Sequence, residues 1–287
     1  MIIATRQGNP GGRRGSCVLL LMVLAVLQAC NWQQQAPQTE VSRAAALVCE
    51  SVPRGTPIVV GELHGTAEAP EFFRDLVRCR AGKAENGLVV GLELPTSALT
   101  AALAIPESAT KSEARNLLAS NGFWKNAKDG RTSSAMLELI HYLRRIEVKG
   151  SSRVVAFDMR KSGADNFSVL AVDAIEDSLG AFPSLGDKRP EVLLLTGNGH
   201  ATMAQDEGSL GSEMAIRGLA PYIFQVRFAA GQAWVCRMGE CGISDAGRGV
   251  CANSERVEVP AGAGEIGGVC ISAATASEPA VDATSVN

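Results

Sequence analysis

The sequence predicts an α/β fold: a three-layer arrangement with a parallel-rich sheet, helices on both faces, and a small disulfide-tied antiparallel C-terminal extension. Short apolar strands bounded by glycine alternate with amphipathic helical stretches, and half of the cysteines lie in the last part of the chain. Strands that alternate with helices pair in parallel through right-handed crossovers, which covers both faces of the sheet. The 287 residues are 46% hydrophobic and 20% charged, as in globular proteins.

The N-terminal segment is predicted to be an export signal that is not part of the fold. Arginines precede an apolar run at 17–27, which is shorter than the roughly 20 residues that span a bilayer. The run ends in "LQAC", which resembles a bacterial lipobox. Residues 1–29 would then be a lipoprotein signal peptide, Cys30 the lipidated residue and 30–40 a tether. An ordinary secreted protein cut nearby is the alternative.

A lipid on Cys30 would hold the protein on a membrane surface. We therefore expect it in the bacterial cell envelope, anchored to a membrane, with the outer membrane as the expected one, and facing the periplasm. Loss of residues 1–29 removes three arginines and no acidic residue, so the net charge changes from −3 to −6. No basic cluster follows, which argues against nucleic acid as a partner.

The predicted α/β domain covers residues 41–230. Its strands are short, β-branched and bounded by glycine, as buried parallel strands are. They are predicted at 57–62, 87–94, 152–158 and 191–197. Helices with one apolar face are predicted between them, at 68–80, 133–146, 164–180 and 209–219.

The C-terminal part has a different pattern. "YIFQVRFA" and "QAWVCRM" resemble two strands joined by a turn that contains glycine, and 231–271 is predicted to be a cysteine-rich β extension. An even number of cysteines in an exported chain indicates disulfides. The simplest pairing joins Cys49 to Cys79 and makes two bridges within the set Cys236, Cys241, Cys251 and Cys270, whose spacing does not suit a zinc ribbon. Residues 272–287 lack an apolar pattern and are predicted to be a disordered tail.

Polar side chains follow each of the four predicted strands. In open α/β sheets, ligands bind in the crevice outside the carboxyl ends of the strands. The sequence therefore predicts a site at this edge. In strand order, its members are Glu62 and His64, then Glu93, then Asp158 and Arg160, and finally Asn198 and His200.

The first two strands give this site its predicted chemistry. Residues two apart on a strand point to the same side, so the side chains of Glu62 and His64 should point together. Glu93 lies in an apolar run, where an unpaired carboxylate is unfavourable; it needs a histidine, a metal or an arginine, and Arg131 is a candidate. Each residue alone has a structural explanation, as a salt-bridge partner or a helix cap. Their coincidence at one edge favours a functional site.

The motifs "GELHG", "GLELP" and "GNGHA", in this order at strand ends, resemble the superfamily of erythromycin esterases, ChaN-type haem-binding lipoproteins and Tiki-type proteases. The resemblance covers roughly residues 55–230, and the lipobox fits the ChaN-type branch. It implies a cleft lined by Glu62, His64, Glu93 and His200. In this superfamily the esterases use such a set for acid–base hydrolysis, Tiki-type proteins add a metal, and ChaN-type proteins bind haem.

The leading hypothesis is a hydrolase that cleaves an ester or amide bond of a small-molecule or peptide substrate. His64 would be the general base, oriented by Glu62 or Glu93, and His200 the acid or oxyanion stabiliser. Arg131 would bind an acidic group of the substrate, with Asp158, Arg160 and Asn198 as further substrate contacts. If a divalent metal such as zinc, manganese or iron is present, Glu62, His64 and His200 are its candidate ligands. The alternatives are a haem- or iron-binding lipoprotein without activity and a scaffold.

Overall fold

The computed structural model describes residues 38–84, 86–127, 129–148, 152–160, 166–182, 189–203, 209–237, 240–247, 251 and 256–281. The predicted signal peptide at 1–29, the lipidation of Cys30 and all but the end of the tether lie outside these residues. No helix in these ranges is both long and apolar enough to cross a membrane.

Each of the first four strands is followed by one or more helices. The strands are β1 (Ile58–Glu62), β2 (Leu88–Leu92), β3 (Ser152–Ala156), β4 (Glu191–Gly197), β5 (Tyr222–Arg237), β6 (Glu240–Asp245), β7 (Arg256–Glu258) and β8 (Ile266–Ala274). The helices are α1 (Glu40–Ser51), α2 (Glu68–Ala81), α3 (Thr96–Leu103), α4 (Lys111–Leu118), α5 (Gly122–Asn126), α6 (Ser134–Val148), α7 (Phe167–Gly180) and α8 (Leu210–Ile216). Helices α1, α3, α4 and α5 are additions to the predicted elements.

One mostly parallel sheet contains these strands in the order β3-β2-β4-β1-β5-β8-β7, with β6 paired to β5. Strands β1, β2, β3, β4, β5 and β8 run parallel, whereas β6 and β7 pair antiparallel with β5 and β8. In the centre, Ile58 of β1 pairs with Leu193 of β4 on one side and Tyr222 of β5 on the other. The carboxyl ends of the first four strands therefore lie at one edge.

Both faces of the sheet are covered, which confirms the predicted three-layer class. Ile58 and Val60 point into a core formed with α1, α2, α3 and α6. Val59, between them, points into a second core with α7 and α8. Successive residues of a strand face opposite sides, so a continuous apolar run is what a sheet buried on both faces requires.

The prediction of two strands joined by a turn after residue 222 is wrong, because β5 is continuous from Tyr222 to Arg237. Gly231 does not form a turn. Its φ is 107°, and a Cβ there would lie 2.1 Å from the carbonyl oxygen of Ala274. The glycine permits close contact with β8. The predicted boundary between 230 and 231 consequently falls inside a strand, and residues from Thr39 onward belong to one unit.

The prediction of a disordered tail at 272–287 is also wrong for residues 272–281. Residues 282–287 lie outside the described part. β8 extends to Ala274. Residues 275–281, here called the C-terminal strap, then make isolated bridges from Ala276 to Thr66 and from Pro279 to Ser133. Ala280 and Val281 are buried. The strap is held mainly by backbone hydrogen bonds, which leave no apolar periodicity in the sequence.

The expected disulfides are present. Cys49 is bonded to Cys79 and joins α1 to α2. Within the C-terminal part, Cys236 pairs with Cys241 and Cys251 with Cys270. The first of these links neighbouring positions of β5 and β6, and the second ties Cys251 to β8.

Candidate active site

The edge formed by the carboxyl ends of β1, β2, β3 and β4 brings the predicted histidines and carboxylates together. The order β3-β2-β4-β1 places the residues that follow β4 between those that follow β2 and β1. Backbone hydrogen bonds hold these neighbouring segments together. The N–H of Glu93 donates to the carbonyl oxygen of Leu195, and the N–H of Asn198 donates to the carbonyl oxygen of Glu62.

Glu62 and His64 form a hydrogen-bonded pair at the end of β1. Nδ1 of His64 donates to Oε1 of Glu62 over 2.8 Å. The Glu62 side chain is 3% exposed and that of His64 is 22% exposed, so the carboxylate is buried beneath an accessible imidazole. This bond fixes the proton on Nδ1 and leaves Nε2 as the reactive nitrogen.

The charge around His64 favours its protonated form. Burial alone would lower the pKa of His64. The hydrogen bond to Glu62 and the negative charges of Glu62 and Glu93 outweigh this effect and a smaller opposing one from Arg131, so the pKa is raised above 6.5. His64 therefore binds a proton more tightly than a solvated histidine.

Glu93 lies at the centre of the site. Its Oε2 accepts hydrogen bonds from the hydroxyl of Thr196 at 2.6 Å and from the N–H of Gly197 at 2.8 Å. Nε2 of His64 is 3.9 Å from Oε2 of Glu93, and Nε2 of His200 is 3.9 Å from Oε1. A buried carboxylate needs such partners, and both histidines direct their Nε2 atoms toward it.

Arg131 reaches the same carboxylate from the loop that precedes α6. Its Nη1 lies 3.4 Å from Oε1 of Glu93 and 2.8 Å from Oδ2 of Asp158, while Nε and Nη2 bind Asp129. The predicted role of Arg131 was to bind an acidic group of the substrate. Its donors instead contact three protein carboxylates, which suits a residue that holds Glu93 in place.

Asp158 joins the two arginines near the site. Oδ1 accepts from Nε of Arg160 at 2.8 Å, and Oδ2 accepts from both Arg160 and Arg131. Burial opposes ionisation of Asp158, but the two guanidinium groups outweigh it and lower the pKa of the carboxyl group. Asp158 is thus buried, and both of its carboxylate oxygens accept hydrogen bonds from the two arginines. Arg160, with 32% of its side chain exposed, is the member of this pair that is accessible to solvent.

His200 is more exposed than His64 and packs on an aromatic ring. The side chain is 28% exposed. The imidazole and the ring of Phe167 have centroids 4.0 Å apart, and the guanidinium carbon of Arg160 lies 4.9 Å from the centroid of Phe167. Phe167, from the start of α7, is therefore a residue of the candidate site that sequence reasoning missed.

Asn198 is brought to the edge of the site, but its hydrogen bonds are to protein. Its Nδ2 donates to the carbonyl oxygen of Val226. Gln225 of β5 donates to the carbonyl oxygens of Asn198 and Ala201, on either side of His200. Gln225 and Thr196 also escaped prediction. The signal available for both was a polar residue inside an otherwise apolar strand.

Two glycines allow the close packing around His64. A Cβ on Gly197 would lie 2.9 Å from Nε2 of His64. Gly130 has a φ of 91°, and a Cβ there would lie 2.3 Å from the backbone nitrogen of Gly65. The loop that carries Arg131 therefore packs directly against the loop that carries His64.

The candidate metal ligands Glu62, His64 and His200 are not arranged around one point. Within the described part of the chain, no three His, Cys, Asp or Glu side chains are grouped so that they could share a metal ion. Glu62 contacts Nδ1 of His64, whereas His200 lies on the Nε2 side, and the cation of Arg131 is next to Glu93. Glu62, His64 and His200 are therefore not grouped as the ligands of one metal ion in the described residues.

Comparisons with known proteins give only distant similarities. No family model matches the sequence, and no curated protein matches it. The type III effector HopBA1 is 12% identical, with a TM-score of 0.42 over 82% of this chain and 94% of its own. A Bacillus cereus protein is 9% identical, with a TM-score of 0.46 over 85% and 100% of the two chains. Values this low carry no information on function.

Proposed function

We propose that this protein is a hydrolase that cleaves an ester or amide bond by acid–base catalysis, with His64 as the general base. The observation that carries the proposal is the pair of Nε2 atoms, on His64 and His200, that each lie 3.9 Å from Glu93. The resemblance of the three strand-end motifs to erythromycin esterases and Tiki-type proteases supports the same reaction class.

In this reaction Nε2 of neutral His64 takes a proton from water while the water oxygen attacks the carbonyl carbon. Glu62, bound to Nδ1, stabilises the imidazolium that forms. His200 stabilises the negative charge on the carbonyl oxygen or donates a proton to the leaving group. The bond to the leaving oxygen or nitrogen then breaks as that atom takes up one proton. If His64 supplies this proton, both histidines are restored at once; if His200 supplies it, the proton held by His64 passes through solvent to His200. One water is consumed, and a carboxylic acid and an alcohol or amine are released.

The remaining residues have supporting roles in this proposal. Arg131 holds Glu93 between the two histidines through its contacts with Asp129 and Asp158. Arg160, on the exposed side of Asp158, is the residue placed to meet an acidic group of a substrate. We further propose that the protein acts in the cell envelope, tethered through Cys30. The three disulfides support an oxidising compartment.

The test uses exported protein with Cys30→Ala and a panel of chromogenic esters and peptides. His64→Ala is expected to lower kcat/KM by roughly 10²–10⁴-fold, the range that general acid–base groups contribute. His141→Ala is the matched control, because His141, the remaining histidine of the chain, lies on α6 and not at a strand end. Equal rates for the wild type and His64→Ala would contradict the proposal.

Two further measurements separate the alternatives. A shift of the Soret band when haem is added, with no turnover of any substrate, would favour the haem-binding lipoprotein. Elemental analysis of the exported protein, with His64→Ala/His200→Ala as the control, tests the conclusion drawn from the ligand geometry. Stoichiometric metal that is lost in the double variant would contradict a metal-free mechanism.

A further inference from the structure

The C-terminal strap contacts the loop that carries His64. The N–H of Ser277 donates to the carbonyl oxygen of Gly65 at 2.8 Å, and the N–H of Ala67 donates to the carbonyl oxygen of Thr275 at 2.9 Å. A bridge between Thr66 and Ala276 lies between these two bonds. The backbone that follows His64 is therefore paired with the strap almost as in a strand.

The same strap continues to the segment that follows Arg131. The N–H of Ala280 donates to the carbonyl oxygen of Thr132 at 2.8 Å, and the N–H of Ser134 donates to that of Glu278 at 2.9 Å. Ser277 connects the two sets of contacts, because its hydroxyl oxygen accepts from the N–H of Ala135 in the first turn of α6 at 3.0 Å. Its relative exposure is only 7%.

We infer that the strap, through Ser277, is a positioning element that fixes the His64 loop relative to the Arg131 loop. His64 and Arg131 approach different oxygens of the Glu93 carboxylate, with Nε2 of His64 3.9 Å from Oε2 and Nη1 of Arg131 3.4 Å from Oε1. Their separation therefore sets the geometry of the site. Ser277 touches neither reacting group and acts through the two loops that carry them.

This inference rests on the proposed function only for its effect on catalysis. The positional claim has a readout of its own, the titration of the His64 imidazole followed by NMR. Because the pKa of His64 depends on the placement of Glu62 and Glu93, displacement of the loop moves the pKa toward that of a solvated imidazole. If the wild type hydrolyses substrates but displacement of the loop leaves the His64 pKa unchanged, the positional claim fails. If the His64 pKa changes but no substrate is hydrolysed, the proposed function fails.

The experiment compares Ser277→Ala with Ser272→Ala in the exported full-length protein with Cys30→Ala. Ser272 is a matched control: its hydroxyl also binds a residue far away in sequence, but that residue is Glu40, at the start of α1. Ser277→Ala is expected to shift the His64 pKa toward 6.5 and to lower kcat/KM roughly tenfold or more, since small misplacements of catalytic groups have large effects. Ser272→Ala is expected to change neither quantity.

An unchanged His64 pKa in folded Ser277→Ala would overturn the inference. If that variant does not fold, hydrogen exchange in the protein without this substitution decides the question. The amide of Ser277 and those of the paired His64 loop are expected to open with the same free energy, as one cooperative unit. Rapid exchange of the strap beside a protected His64 loop would also overturn it.

Discussion

His64 couples the charge of the site to pH. Its pKa is raised in the folded protein, because Glu62 and Glu93 outweigh the effect of burial. The folded state therefore binds the proton more tightly than the unfolded state, whose histidine titrates near 6.5. The resulting stabilisation is fully present below that pH and is lost as the pH rises through the folded pKa.

We predict that the free energy of unfolding of the wild type falls relative to that of His64→Asn as the pH rises from 6.5 through the raised pKa of folded His64. Denaturant titrations of both proteins across this range measure the difference. The rate of hydrolysis should rise over the same window, since only neutral His64 can accept a proton. A stability difference that grows with pH would contradict the raised pKa.

Thr196 shows how much of the site depends on residues outside the predicted set. It is fully buried and its hydroxyl binds Oε2 of Glu93 at 2.6 Å. Thr196→Val keeps the shape but removes this donor from a buried carboxylate. We expect a loss of about 1–3 kcal/mol in the free energy of unfolding.

The control for Thr196→Val is Thr100→Val, the same substitution on the exposed side of α3. Surface changes of this kind are usually within about 0.5 kcal/mol. Equilibrium unfolding in denaturant compares the two. Similar values for both variants would mean that the bond to Glu93 contributes little.

At the scale of elements, the site depends on how closely the Arg131 loop packs against the His64 loop. A Cβ on Gly130 would collide with the backbone of His64 and Gly65, at a positive φ that alanine adopts poorly. Gly130→Ala is therefore expected to destabilise the protein by roughly 1–3 kcal/mol and to reduce hydrolysis further than that loss explains.

Gly122→Ala provides the opposite case. This glycine begins α5, has an ordinary φ and has open space around it. Alanine there should leave activity unchanged and stabilise the protein by up to about 1 kcal/mol, because glycine is the weaker helix former. Thermal unfolding and ester turnover of the pair are the measurements. Equal effects of the two substitutions would contradict the proposed packing.

The same elements show what the sequence could predict. Glu62, Glu93 and His200 were predictable neighbours, because parallel strands bring their carboxyl ends to one edge. The continuity of β5 was not predictable. Gly231 resembles a turn signal in the sequence, whereas in the structure it permits a close contact with Ala274. The strap was not predictable either. Its bonds are between backbone groups and distant loops, and side-chain patterns do not encode such contacts.

At the scale of the whole molecule, the C-terminal region completes the main sheet. β8 pairs with β5 from Ile223 through Gly231, and both strands continue past the edge where β1 ends. Phe228 and Ile271, paired across these strands, contribute to the larger core. Loss of β8 would therefore expose apolar surface on a central strand and remove the strap from the site.

We predict that a fragment of residues 39–230, which contains the α/β domain expected at 41–230, does not fold by itself. A fragment of residues 39–281, which keeps β8 and the strap, should fold as the full-length protein does and unfold in a single transition. Cooperative unfolding and dispersed amide NMR signals, measured after export under oxidising conditions, distinguish the two outcomes. A cooperatively folded 39–230 fragment would show that the first strands form an independent domain, and that β5 needs neither β8 nor the Cys251–Cys270 bridge to remain in the sheet.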